Sequence, residues 1–260
     1  MSAPPDDVIL EVRQLTAGYG RRVILEEVNF QVRRGEVLAI LGRSGSGKST
    51  LLKCLVGLNE PLSGEVRING KNLAEAFGAE RRAILRQLGV LYQGGALFGS
   101  MSVLENVRLP LEELTDLPPR AQQLVAMFKL NLVGLAEAAQ ALPAELSGGM
   151  QKRAALARAM ALDPHLLFLD EPSVGLDPIT SAGLDELIKK LARTFGITFV
   201  IITHELESLC AIASRAIFID GESKHIVAEG TPAELSAHPP TELVRRFLHR
   251  EPEPDARAHA

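Results

Sequence analysis

The chain has 260 residues, of which 46% are hydrophobic and 23% charged, so it can form one large domain with a substantial core. Its formal net charge is −4 at pH 7, which gives no electrostatic attraction to nucleic acid. No apolar run approaches the roughly 20 residues that cross a bilayer, so we expect a cytoplasmic chain that is held elsewhere only by a partner.

Short antiparallel strands are predicted at the start of the chain. Residues 8–12, VILEV, read as one strand, and residues 23–32 carry the strand-like alternation of Val28, Phe30 and Val32. Between them, residues 17–20 read as a glycine-flanked turn that contains Tyr19. An exposed aromatic ring can stack on a purine, although a single tyrosine in a turn also fits ordinary packing.

The next segment, the phosphate loop (residues 42–50), reads GRSGSGKST and lies between an apolar strand and a helix-like run. It matches G-x-x-x-x-G-K-[ST], in which glycines let backbone N–H groups surround an anion at a helix start. We expect Lys48 to reach the β- and γ-phosphates of a nucleotide and Ser49 to bind Mg²⁺. The candidate nucleotide ligands are Gly42, Arg43, Ser44, Gly45, Ser46, Gly47, Lys48, Ser49 and Thr50.

Residues 63–70 and 88–93 read as two more strands, and Gln93 opens a glycine-rich segment. Its amide oxygen can bind Mg²⁺, or the residue can simply end the strand. From about residue 95 to 160 the pattern becomes helical, with helices predicted at 103–114, 120–130 and 151–162. This composition predicts a helical subdomain inserted into an α/β core.

A second anion site is predicted where Ser147, Gly148 and Gly149 precede the last of those helices, with the helix proper at 152–162. Glycines at a helix start leave amide groups free. Because the chain already has one phosphate loop, this second site suggests that two chains share each nucleotide.

Paired carboxylates follow the apolar residues 166–169, which predict a buried parallel strand. Asp170 is expected to face Mg²⁺, and Glu171 to lie beside the γ-phosphate. Asp177 either caps the helix predicted at 179–194 or acts across a dimer interface.

His204 ends another buried strand, residues 198–203, level with Asp170 and Gln93. Strands at 216–220 and 225–228 complete the core. From about residue 236 we predict a tail with an amphipathic piece at 242–248 and a disordered end.

In this order, the phosphate loop, Gln93, the segment 146–149, Asp170-Glu171, Asp177 and His204 resemble the ATP-binding subunit of ABC transporters. The resemblance implies an α/β fold, with a mostly parallel P-loop core, an N-terminal antiparallel β subdomain and the helical insertion. It assigns residues 8–235 to the ATPase domain and 236–260 to the tail.

The same resemblance implies that Tyr19 stacks on adenine. Ser147, Gly148, Gly149 and Asp177 then act on the nucleotide of a second copy, so that two subunits enclose two ATP molecules. Catalysis is expected from Lys48, Glu171 and His204, with Mg²⁺ held by Ser49, Gln93 and Asp170.

A narrower resemblance, carried by residues 93–98 and 147–159, is to the ATPases of MCE-type lipid transport systems. Many ABC ATPases have glutamine where this chain has Met150, whereas Gly94 departs from the serine common in those relatives. This resemblance implies phospholipid transport, a separate integral-membrane permease, an MCE-domain protein, a possible STAS-type regulator and no nucleic acid. The subunit would lie at the cytoplasmic face of a bacterial inner membrane.

Three alternatives remain open from the sequence: an amino-acid importer, a lipoprotein exporter, and a soluble ABC-type ATPase that acts as an assembly scaffold, such as those in iron–sulfur cluster assembly. ATP hydrolysis does not distinguish them. The sequence names neither the cargo nor the direction of transport.

Overall fold

The computed structural model describes residues 7–251, apart from the side chains of residues 207–209. The end of the chain that the sequence predicts to be disordered, residues 252–260, lies outside this range. No helix within the described range is long and apolar enough to cross a bilayer.

The strands in chain order are β1 (Val8–Tyr19), β2 (Arg22–Arg33), β3 (Val37–Leu41), β4 (Ser63–Ile68), β5 (Lys71–Asn72), β6 (Leu88–Leu91), β7 (Leu166–Asp170), β8 (Thr198–Ile202), β9 (Arg215–Ile219) and β10 (Ile226–Gly230). The helices are α1 (Lys48–Leu55), α2 (Gly78–Leu85), α3 (Val103–Leu114), α4 (Pro119–Leu132), α5 (Gly148–Ala159), α6 (Pro178–Phe195), α7 (Leu206–Ile212), α8 (Pro232–Ala237) and α9 (Glu242–His249).

The antiparallel sheet has the strand order β2-β1-β4-β5. The prediction that residues 17–20 form a turn is wrong, because β1 continues to Tyr19 and only Gly20 and Arg21 turn the chain. Gly18 permits this long pairing, since a Cβ at Gly18 would lie 2.1 Å from the carbonyl oxygen of Arg22. Tyr19 therefore has a fixed position at the end of a strand.

The second sheet has the order β10-β9-β3-β8-β7-β6, and every neighbouring pair except β9 with β10 is parallel. Its central strands are buried on both faces, which explains their continuous apolar sequences. Alternation sends Phe168 toward the antiparallel sheet and α1, whereas Leu167 and Leu169 face the helices on the other side. The predicted mostly parallel α/β core is confirmed.

Helices α3, α4 and α5 form the helical region, with short 3₁₀ turns at Ala136–Ala138 and Pro143–Glu145. Ser102 begins α3 through a reciprocal capping box with Glu105. The predicted start of the last helix near residue 151 is wrong, because α5 already begins at Gly148 and ends at Ala159. Ser147 caps this start, so the two glycines lie inside the first turn.

The C-terminal amphipathic piece forms α9, which packs onto the parallel sheet. Val244 is fully buried in a cluster with Leu41 and Phe218. The ring of Phe247 meets that of Phe218 edge to face at 4.9 Å. Residues up to 251 are thus part of the folded body.

Candidate active site

Two glycines of the phosphate loop, Gly42 and Gly47, could not be replaced by another residue without displacing their neighbours. Gly42 has φ 154°, and a Cβ there would lie 2.5 Å from the carbonyl oxygen of Ile219. Gly47 has φ 99°, and its Cβ would lie 2.9 Å from Ile24. The loop backbone is therefore held close to β2 and β9 in a conformation that L side chains rarely adopt.

Helix α1 begins at Lys48, and no side chain caps it at Gly47. Its first amide groups therefore remain available for an anion, at the positive end of the helix dipole. The buried Lys48 ammonium donates to the carbonyl oxygens of Gly42 and Arg43, both at 2.8 Å. Burial lowers the pKa of Lys48, and the carboxylates of Glu171 and Asp170 oppose that shift.

Tyr19 lies beside the phosphate loop, with its ring about half exposed. The Lys53 ammonium of α1 is 5.9 Å from the ring centroid. The hydroxyl of Thr50, followed by smaller contributions that include Lys53, lowers the pKa of the Tyr19 phenol. An aromatic face next to the start of α1 is what stacking on a base requires.

Asp170 is the last residue of β7. It lies at the C-terminal ends of the parallel strands, where β3 also leads into the phosphate loop. Burial and the neighbouring Glu171 raise the pKa of Asp170, and the ammonium groups of Lys48 and Lys152 oppose that rise. Lys48, Asp170 and Glu171 therefore lie close enough to shift one another's charge equilibria, as the sequence predicts for one site.

Glu171 has a strained backbone, with φ 49°, and its N–H donates to the carbonyl oxygen of Ile202 at 2.8 Å. Its Oε1 lies 2.8 Å from His204 Nδ1. Its Oε2 is buried and has no hydrogen-bond partner within the described residues. One oxygen of the carboxylate is thus anchored by histidine, while the other lacks the partner that a buried acceptor requires.

Gln93 follows β6 with its side chain exposed. Its backbone carbonyl accepts a hydrogen bond from the ammonium of Lys152 on α5, and the same ammonium donates to the Glu171 carbonyl at 3.2 Å. The structure therefore connects Gln93 to Glu171 through a residue that the sequence reasoning did not select.

The segment 147–149 and Asp177 lie together, at the starts of α5 and α6. The Ser147 hydroxyl accepts from the Met150 N–H at 3.3 Å. A Cβ at Gly149 would lie 2.3 Å from the methyl group of Thr180. Asp177 Oδ1 accepts from two N–H groups of the first turn of α6, and Oδ2 accepts from the Thr180 hydroxyl at 2.5 Å. Of the two roles left open for Asp177, the structure shows the cap.

The geometry fits the phosphates of a nucleotide. The glycine backbone leaves room that a Cβ would fill, uncapped amides start α1, and a buried lysine lies beside them.

For Mg²⁺, no group of three His, Cys, Asp or Glu side chains converges within the described residues. The fitting donor set is instead a hydroxyl, an amide oxygen and one carboxylate, which are oxygen ligands of the kind Mg²⁺ combines with substrate phosphates.

The sequence reasoning overlooked Lys152, Arg158 and Thr180. Lys152 lies in the second turn of α5, close to the end of the helix at which a cation gains nothing from the dipole. That mismatch was the available signal for Lys152. Nothing local marked the other two residues, because their partners come from distant segments.

Comparison with known proteins agrees with this geometry. Residues 25–174 match the family described as ABC transporter. The chain is 41% identical over 227 residues to the intermembrane phospholipid transport system ATP-binding protein MlaF of Haemophilus influenzae, covering 87% of this chain and 85% of that protein. It is 39% identical over 224 residues to the methionine import ATP-binding protein MetN of Haemophilus influenzae, covering 86% and 64%.

Among solved structures, the fold matches the dimeric post-hydrolysis state of the ATP-binding cassette MJ0796 bound to ADP and Pi. The TM-score is 0.77 at 31% identity, and the match covers 86% of this chain and 99% of that one. The family match spans more than half of the chain, and the MlaF match spans most of both sequences. The chain therefore belongs to the ABC transporter family, as one of its ATP-hydrolysing subunits.

Proposed function

We propose that this chain powers the transport of phospholipid across a bacterial cell envelope. The observation that carries the proposal is the 41% identity to a phospholipid transport ATPase over 85% of that protein. Met150, in the position after Gly149, is consistent with it. The cargo class comes from this likeness, because the site itself is suited only to the nucleotide.

In the proposed reaction, the phosphate loop binds ATP through its amides, and Tyr19 stacks on the adenine. Lys48 turns from the carbonyls of Gly42 and Arg43 to the β- and γ-phosphates. The two ammonium–carbonyl hydrogen bonds that are lost are replaced by ammonium–phosphate bonds, in which the donor and the acceptor are both charged. Lys48 then offsets charge as the bond to the leaving oxygen lengthens.

Mg²⁺ would be held by the Ser49 hydroxyl, the Gln93 amide oxygen and the Asp170 carboxylate, directly or through water. When bound, the ion neutralises charge on the β- and γ-phosphates. Asp170 must be ionised for this role, and Lys48 and Lys152 favour that ionised form.

Glu171 polarises the attacking water. Its Oε2 is buried and has no hydrogen-bond partner within the described residues, so its acceptor capacity is unused and we assign that capacity to the water, while His204 orients the carboxylate through Oε1. When Glu171 is a carboxylate it can only accept, so His204 Nδ1 donates to it. A hydrogen bond from Nε2 to the γ-phosphate requires that this second ring nitrogen also carries a proton. Catalysis then consists of positioning and electrostatic stabilisation.

A second copy of the chain completes the site. The start of α5, with Gly148 and Gly149, offers amides to the γ-phosphate held by the other copy, and Ser147 and Asp177 frame that contact. The solved cassette that is dimeric with bound ADP and Pi supports the pairing of two copies. The side chain of Asp177 caps α6, so its backbone would be held in a fixed position at the interface with the second copy.

The remaining proposed partners are an integral-membrane permease, an MCE-domain lipid-binding protein and a STAS-type regulator. Through the permease, the subunit would lie at the cytoplasmic face of the inner membrane. Methionine import is the second candidate function, and the 39% identity to MetN supports it.

The test is mass spectrometry of the proteins that copurify with the tagged chain from gently solubilised membranes of its host. Recovery of a multi-helix permease with an MCE-domain protein supports phospholipid transport. After reconstitution, that complex should transfer fluorescent phospholipid between vesicles only when hydrolysable ATP is present. Recovery of a permease with an amino-acid-binding protein would instead favour import, and soluble partners alone would refute a transport role.

A further inference from the structure

Helix α5 presents a buried cation to both catalytic segments of the site. The Lys152 ammonium donates to the backbone carbonyls of Gln93 and of Glu171. These acceptors lie on the segments that follow β6 and β7, two neighbouring parallel strands. One side chain thus connects the proposed metal ligand to the proposed base.

The position is unfavourable for a lysine unless its contacts compensate. Lys152 is only 8% exposed, and burial lowers its pKa, while Asp170, Glu171 and Glu205 oppose that shift. It also follows closely the positive end of α5, where a cation gains nothing from the dipole. The two carbonyls and the nearby carboxylates are what offset these costs.

A second cation of the same helix holds the continuation of the segment. Arg158 donates to the carbonyls of Gly95 at 2.8 Å and Ala96 at 2.7 Å. A Cβ at Gly95 would lie 3.5 Å from that of Ala155, so this backbone lies directly on α5. Residues 93–96 are therefore fixed to α5 at both ends.

We propose that Lys152 is a positioning residue for ATP hydrolysis, which sets the distance between the Gln93 amide and the Glu171 carboxylate by holding both backbones. The proposal rests on the roles proposed above for Gln93 and Glu171. Because Lys152 belongs to the helix that begins with Gly148 and Gly149, any displacement of α5 shifts both segments together. Contact with the partner's nucleotide is thereby transmitted to the metal ligand and the base.

The test compares ATP hydrolysis by the full-length parent and by Lys152→Met, with Mg²⁺ and ATP varied separately. Loss of an outer interaction of this kind typically changes metal affinity or activity by about 10-fold to 100-fold. We expect kcat to fall about 10-fold and the half-saturating Mg²⁺ concentration to rise by a similar factor, in line with that range. KM for ATP should change less, since the phosphate loop is untouched.

Three further variants make the result specific. Lys152→Arg keeps two donors and should stay close to the parent. Lys71→Met is the same chemical change at an exposed site and should have no effect. In a Gln93→Ala background, Lys152→Met should raise the Mg²⁺ requirement no further, because the ligand that it positions is already gone. If Lys152→Met does not fold, as judged by thermal unfolding, Lys152→Gln is measured in the same way.

Parent-like kcat and Mg²⁺ dependence in Lys152→Met or Lys152→Gln would overturn the proposal, as would a further rise in the half-saturating Mg²⁺ concentration when Lys152→Met is added to Gln93→Ala. A Lys152→Arg variant as impaired as the methionine variant would also overturn it. Glu171→Gln is measured in parallel to separate this failure from that of the proposed mechanism. If Glu171→Gln loses hydrolysis while Lys152→Met does not, only the role of Lys152 fails.

Discussion

Replacing Gly149 by alanine tests the packing of α5 against α6. A Cβ at this buried position would lie 2.3 Å from the Thr180 methyl group. Thr180 cannot simply rotate away, because its hydroxyl donates to Asp177 Oδ2 at 2.5 Å. Either the start of α5 moves or that hydrogen bond breaks.

The neighbouring Gly148 provides a matched control. A Cβ there would lie 3.5 Å from the nearest atom, which belongs to Leu176, an ordinary van der Waals distance. Both glycines belong to the same helical turn, so their intrinsic gains from the change to alanine are similar. The difference between the two variants therefore isolates the clash.

Overpacking of this kind costs about 1–3 kcal/mol. For a domain of this size, that corresponds to a fall in Tm of roughly 2–12 °C. We expect Gly149→Ala to show this loss in thermal and denaturant unfolding, whereas Gly148→Ala should change the free energy of unfolding by less than about 1 kcal/mol.

A second substitution supplies the internal rescue. Thr180→Ser removes the clashing methyl group and keeps a hydroxyl for Asp177, and the remaining Thr180 carbon, Cβ, lies 3.8 Å from the added Cβ. Gly149→Ala with Thr180→Ser should therefore recover most of the lost stability. A Gly149→Ala variant as stable as the parent, or one that the serine does not rescue, would refute this packing argument.

Three further predictions concern the base, the metal ligand and the C-terminal helix. Glu171→Gln should lower ATP hydrolysis by about 100-fold or more while retaining ATP binding and accumulating a dimer in size-exclusion chromatography, because the amide cannot accept the water proton. Hydrolysis at the parent rate would remove Glu171 from this role. Burial and Glu171 raise the pKa of Asp170, so kcat/KM for MgATP should fall with decreasing pH already above the usual aspartate pKa, as protonation removes the metal ligand. An acid limb below about pH 4 would contradict this, since that is the ordinary aspartate range. Val244→Ala should cost about 1–3 kcal/mol of unfolding free energy, because the side chain is fully buried against the sheet. An unchanged denaturant midpoint, equal to that of the exposed control His249→Ala, would show that α9 does not stabilise the folded body.

Much of this fold could be predicted from the sequence because the decisive signals are local. The phosphate loop requires glycines at particular backbone angles, and β3, β7 and β8 require continuous apolar runs. Capping by Asp177 also depends only on the next three residues. These features are fixed by short-range geometry, and each appears close to its predicted position.

Element boundaries were harder to predict, for reasons visible in particular residues. Gly18 looks like a turn residue, yet it lies within β1. The partner strand packs so closely there that a Cβ at Gly18 would lie 2.1 Å from the carbonyl oxygen of Arg22. Gly148 and Gly149 look like a break before a helix, yet both lie in the first turn of α5, because Ser147 is its N-cap. In both cases a contact with another segment or a cap overrides the weak intrinsic preference of glycine.

The sequence by itself determined the nucleotide chemistry, because the residue types and their order along the chain specify a phosphate loop and a strand that ends in paired acids. Only the tertiary structure decided which groups hold these parts in place. Lys152 binds carbonyls 59 and 19 residues away, and Thr180 limits the space beside Gly149. Such contacts depend on how segments that are distant in the sequence pack together. A local sequence pattern carries no information about which of these segments come into contact.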